Sequence, residues 1–84
     1  MKIEVKDEHI NHGERSFCDS CAIALALKDV FVKAKNIEVQ DADDIRIDGV
    51  KYFVHADDFE RVHQFIYNFD TGRLVSEMNF NLSR

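Results

Sequence analysis

Asp48-Gly49 stands between two runs of alternating apolar and polar residues, Asp44-Ile45-Arg46-Ile47 and Val50-Lys51-Tyr52-Phe53-Val54-His55. A two-residue connection between strands is a type I′ turn, which needs positive φ at both central positions, and Asp-Gly supplies that at low cost. The segment is therefore a β-hairpin. Upstream, Asn36-Ile37-Glu38-Val39-Gln40 alternates as well, and Asp41-Ala42-Asp43 turns it into the hairpin, so residues 36–55 read as a three-stranded meander.

The flanks add a strand at each end. Lys2-Ile3-Glu4-Val5-Lys6 alternates, and so do Leu74, Ser76, Met78, Phe80 and Leu82 against Val75, Glu77, Asn79 and Asn81. Between the first strand and the meander, Asp7 to Ser16 is polar around Gly13 and reads as a loop anchored by Ile10. A helix follows, with Asp19 or Ser20 as cap and with Ile23, Leu27, Val30, Phe31 and Ala34 at helical spacing. Ala22, Ala24 and Ala26 favour helix and are expected on its slim outer face. A second helix is marked by Asp57 as cap, Glu60 three residues on, and a stripe of Phe59, Val62, Phe65, Ile66 and Phe69, with Asp58, Arg61, Gln64 and Asn68 facing water. Gly72 ends it in a left-handed cap. The expected order is β-α-β-β-β-α-β: an α+β two-layer sandwich, its sheet mostly antiparallel and both helices on one face. At 84 residues the chain is a single domain, 1–84. Ile3, Val5, Ile23, Leu27, Phe59, Val62, Phe65, Ile66, Met78 and Phe80 are expected to form its core.

Charge narrows the partners. Asp and Glu outnumber Lys and Arg 16 to 11, giving a net charge of −5, and no two basic residues are adjacent. A phosphate backbone is bound through clustered cations that displace counterions, so direct nucleic-acid binding is not expected. Asp41-Ala42-Asp43-Asp44 and Asp57-Asp58 are explained by turn and cap chemistry. The residues from Met1 to Lys6 contain no apolar signal-peptide core, and the longest apolar run, Cys21 to Leu27, falls far short of the roughly 20 residues of a membrane span. A cytoplasmic protein is expected, with its two cysteines reduced or metal-bound rather than disulfide-linked.

The densest chemical signal is His9-x-x-His12 followed by Cys18-x-x-Cys21. Two imidazoles and two thiolates make a tetrahedral zinc ligand set, so His9, His12, Cys18 and Cys21 are the candidate metal ligands. Against that, Cys21 opens an apolar run and is accounted for as a small buried hydrophobe. In that case Cys21 is buried, Cys18 lies near the surface, Ile10 pins the loop and the histidines are solvated. A Cys-x-x-Cys at a helix start also suits thiol redox chemistry. The chain lacks the proline of a glutaredoxin-like groove, however, and Asp19 beside the cysteines disfavours a thiolate. His55 and His63 are candidates for acid–base work with Asp57 or Asp58, but the sequence places no nucleophile near them. There is neither a phosphate-binding glycine loop nor a calcium loop.

Cys18-Asp19-Ser20-Cys21-Ala22-Ile23-Ala24-Leu25-Ala26-Leu27, with His9-Ile10-Asn11-His12-Gly13 before it and Phe69-Asp70-Thr71-Gly72 late in the chain, resembles a family of small uncharacterised proteins common in bacteriophages and present in some bacterial genomes. Their Cys-x-x-Cys is usually followed by proline, where this chain has Ala22. The resemblance implies a shared fold and a phage-like context, and it carries over no activity and no binding residue. Taken together, the expectation is a non-enzymatic protein-binding module, a phage-type accessory protein acting on a host factor such as a defence system. The alternative is a zinc-stabilised module with a structural or nucleic-acid-associated role. Self-association into a homodimer through a strand edge or an exposed apolar patch is also expected.

Overall fold

A computed structural model describes all 84 residues. Strand β1 (Lys2–Val5) leads into helix α1 (Asp7–His12), and α2 (Ala22–Val30) follows after a loop. The meander is β2 (Ile37–Asp41), β3 (Asp44–Ile47) and β4 (Val50–Val54), and a 3-10 turn at Ala56–Asp58 runs into α3 (Phe59–Asp70) before β5 (Met78–Ser83). The five strands form one sheet in the order β1-β5-β4-β3-β2, with every neighbouring pair antiparallel. The fold is α+β. Asp48 and Gly49 both have positive φ, 51° and 80°, as the I′ turn requires. Gly72, at φ 79°, follows the end of α3.

One core serves the whole molecule. Ile3, Val5, Phe80 and Leu82 from the β1–β5 side join Ile37, Val39, Ile45 and Ile47 from the meander, and α2 and α3 add Ile23, Leu27, Val62, Phe65 and Phe69. Phe59, Ile66 and Met78, expected inside it, are only half-buried against its margin.

Several local expectations are corrected. The stretch after β1 is not all loop: Asp7–His12 is helical, because His9 at the third helical position reaches back to accept the Lys6 backbone N–H at 2.9 Å, the role a Glu or Gln plays in a capping box. Two acidic residues in the first turn suit the helix dipole. The second correction is the start of α2, whose cap is Cys21 rather than Asp19 or Ser20: its Sγ accepts the Ala24 N–H at 3.4 Å. Ala22, Ala24 and Ala26 are buried rather than outward, so their small size serves close packing in the core. The helix stops at Val30, and Phe31 turns out of it to pack edge-on against Tyr52, ring centroids 5.4 Å apart. The last strand begins at Met78, leaving Leu74 99% exposed.

Asp58 departs furthest from its expected place on the wet face. It is 8% exposed, and Oδ2 accepts the Asn81 backbone N–H at 2.8 Å and its side-chain amide at 3.3 Å, while Oδ1 accepts Arg61 at 2.6 Å. The α3 start is thereby tied to β5. The Asn81 N–H, and then Arg61, hold the Asp58 carboxyl below the usual carboxylate range. A lowered folded-state value contributes stability that is complete above the ordinary carboxylate range and is lost as pH falls through the depressed value. Denaturation curves taken from about pH 6 to about pH 2 should therefore fall more steeply for the natural protein than for Asp58→Asn, which cannot ionise. Parallel curves would contradict this placement of the carboxylate.

Candidate functional site

The loop between α1 and α2 is short of apolar residues yet firmly held. Glu14 N–H donates to Ser20 O at 2.8 Å, Ser20 N–H to Phe17 O at 3.2 Å, and Val39 N–H, from the edge strand β2, to Cys18 O at 2.8 Å. Ser16 adopts φ 63°, unusual for a residue with a Cβ, and Asp70 at the end of α3 holds it there by accepting the Ser16 N–H at 2.9 Å. Lys28 adds a bond from its ammonium to Asp19 O at 3.0 Å. A loop fixed to α2, α3 and β2 at once has little ordering entropy left to lose on binding.

That loop presents Phe17, 57% exposed, at the mouth of a pocket of about 200 Å³. Nine of its twelve lining residues are hydrophobic: Cys21 and Ile23 come from the start of α2, Val39 from β2, and Phe65 and Phe69 from α3. Ser16, Gln40 and Asp70 supply the polar margin. Phe65 and Phe69 stack with centroids 6.2 Å apart and form one wall. The pocket exists because α2 starts with small residues, Cys21 and Ala22, opposite two bulky rings.

The four candidate metal ligands are placed separately. His9 is buried, a correction to its expected solvation. Since Nδ1 accepts from the Lys6 N–H, Nε2 carries the proton and donates to Asp29 Oδ2 at 2.6 Å. His9 is thus a clamp between α1 and α2. His12 is exposed and its Nδ1 donates to Glu8 O at 2.9 Å. Cys21 is buried and Cys18 partly exposed, and both line the pocket. Burial pushes the Cys21 thiol up, which disfavours the thiolate needed for nucleophilic or redox chemistry. Ile10 packs against the core as the expected pin. One group of three donor residues does converge, Glu8, His9 and Asp29, with ligand atoms within 4.8 Å of one another. His9 is its single buried member, and both ring nitrogens are already engaged.

His55 and His63 take partners the sequence did not disclose. His55 Nε2 lies 2.6 Å from Ser83 Oγ, so a hydroxyl does stand beside it, at the exposed ends of β4 and β5. His63 Nδ1 donates to Asp41 Oδ1 at 3.1 Å, and its ring stacks on Phe59. Neither pair faces the pocket. Phe17, the exposed aromatic beside the pocket, carried no periodic or motif signal. Its sole mark in the sequence is a lone aromatic among Arg15, Ser16, Cys18 and Asp19. No helix is long and apolar enough to cross a membrane. Comparison with protein-family models, with curated proteins and with solved structures finds no match to this chain.

Proposed function

We propose that this chain is a non-enzymatic protein-binding module that engages its partner through Phe17 and the pocket beside it. The carrying observation is an aromatic ring 57% exposed on a loop pinned to three elements, next to an apolar pocket. Interfaces draw most of their affinity from a few such aromatic anchors and well-formed pockets, and a preorganised loop loses little freedom on docking. The pocket is large enough to take one apolar side chain from the partner. The net charge of −5 suits a partner with a basic face. A phage-type accessory role in the cytoplasm, acting on a host factor such as a nucleic-acid-binding component of a defence system, is consistent with that charge and with the resemblance to small phage proteins. The high Cys21 thiol and the solvent-exposed His55–Ser83 pair support a binding role over catalysis. Affinity capture from host-cell lysate tests this reading. A stoichiometric partner is expected with the natural protein and its loss with Phe17→Asp.

A further inference from the structure

The two edges of the sheet are not equivalent. At β2 the outward N–H of Val39 is already taken by Cys18 O, so the loop beside the pocket occupies that edge at mid-strand. At β1, Ile3 and Val5 face β5 in register with Phe80 and Met78, and Met1 exchanges backbone bonds with Leu82. In an antiparallel ladder the intervening residues turn their backbone groups away from the neighbouring strand. Lys2 and Glu4 therefore direct their N–H and C=O groups at the open side, where the sheet order ends. Their side chains are exposed, 58% and 59%, and lie 4.0 Å apart on the outer face. The two side chains form an ion pair within the chain, and the facing residues on β5, Asn81 and Asn79, are uncharged and add no charged partner across the ladder.

We infer that β1 pairs with β1 of a second copy of this chain, antiparallel about a two-fold axis through Ile3, to make one continuous sheet across the dimer. Two things on this edge select that partner. The outward backbone groups of Lys2 meet those of the second copy's Glu4, and the reverse, each pair exchanging both N–H···O bonds. The same register sets Lys2 directly across from the second copy's Glu4 on the outer face, twice over by symmetry, where opposite charges attract and like charges repel. An edge guarded by a single sign of charge would repel its own copy, whereas Lys-x-Glu is complementary to itself under antiparallel pairing. The Phe17 pocket borders β2 at the far end of the sheet and stays open in both copies.

Sedimentation equilibrium between about 10 μM and about 1 mM tests the pairing. The natural protein should pass from the 9.8 kDa monomer to twice that mass. Lys2→Glu and Glu4→Lys, each of which sets like charges opposite one another, should each weaken the dimer about ten-fold. The double exchange Lys2→Glu with Glu4→Lys restores the complementarity and should return the association to near its natural strength. Both positions are exposed, so circular dichroism melts of the variants should match the natural protein and separate loss of pairing from loss of fold. A natural protein that stays monomeric throughout, a dimer indifferent to both single reversals, or a double exchange no tighter than the singles would each overturn the inference.

Discussion

Phe80→Ala is expected to lower the stability of this domain by about 4 kcal/mol. Phe80 is 0% exposed on β5 and is the largest of the fully buried side chains. Its removal forfeits the transfer energy of the ring and leaves a cavity in a strand flanked by β1 and β4. A domain of this length holds a total stability of only about 5–10 kcal/mol, so the variant should be largely or wholly unfolded at moderate temperature. Phe65→Ala is the informative comparison. Phe65 is 7% exposed and already borders the pocket, so truncating it enlarges an open space, and its cost should fall near the lower end of the range, about 3 kcal/mol. Urea denaturation of both variants measures this. A Phe80→Ala loss below about 1 kcal/mol would show that β5 does not run through the centre of the core.

Gly13→Ala should cost about 3 kcal/mol, although Gly13 lies outside every strand and helix and its backbone is ordinary. At φ −69° and ψ 146° any residue could adopt its conformation, so the reason for glycine is space. A Cβ there would sit 2.6 Å from Ala22 N and 2.9 Å from His9 O, both backbone atoms, and 2.9 Å from Phe69 Cζ. The ring can shift, but the two backbone atoms can move only if α1 separates from α2. Separation would also pull at the His9–Asp29 bond that joins them. Gly49 makes the control, since a Cβ there meets nothing within 4 Å and the strain comes from φ +80° alone. Gly49→Ala should cost about 1 kcal/mol. Equal losses for the two variants, measured by chemical denaturation, would mean that the close approach of α1 to α2 does not exist.

These two positions also show what could and could not be read from the sequence. The hairpin at Asp48-Gly49 was legible because a period of two on each side and a dipeptide suited to positive φ are local signals. The stripe on α3 and the alternation of β1 were legible for the same reason. The short helix α1 was not, since its stabilising cap comes from a histidine, a residue with no strong preference at that position. Asp58 read as a solvated or capping carboxylate because its true partner, Asn81, is distant in the chain. His9 and Cys21 drew attention as a His/Cys set, yet spacing along the chain says nothing about direction in space. One turns to Asp29 and the Lys6 N–H, the other to the Ala24 N–H. Phe17 was the least legible of all, because an exposed aromatic on a pinned loop has no period and no motif. Its setting arises from bonds to Asp70 and Val39, which come from parts of the chain that only the fold brings near.

The most direct test of Phe17 as the anchor is affinity capture from host-cell lysate with three baits: the natural protein, Phe17→Asp and Phe53→Asp. Phe53 is exposed to nearly the same degree, 51% against 57%, but lies on the sheet away from the pocket. Loss of an aromatic anchor costs upwards of 2 kcal/mol, a reduction in affinity of about thirty-fold or more. The account predicts a stoichiometric partner retained by the natural protein and by Phe53→Asp and lost with Phe17→Asp, all three baits melting at similar temperatures. A partner held equally by Phe17→Asp, or no stoichiometric partner for the natural protein, would contradict it.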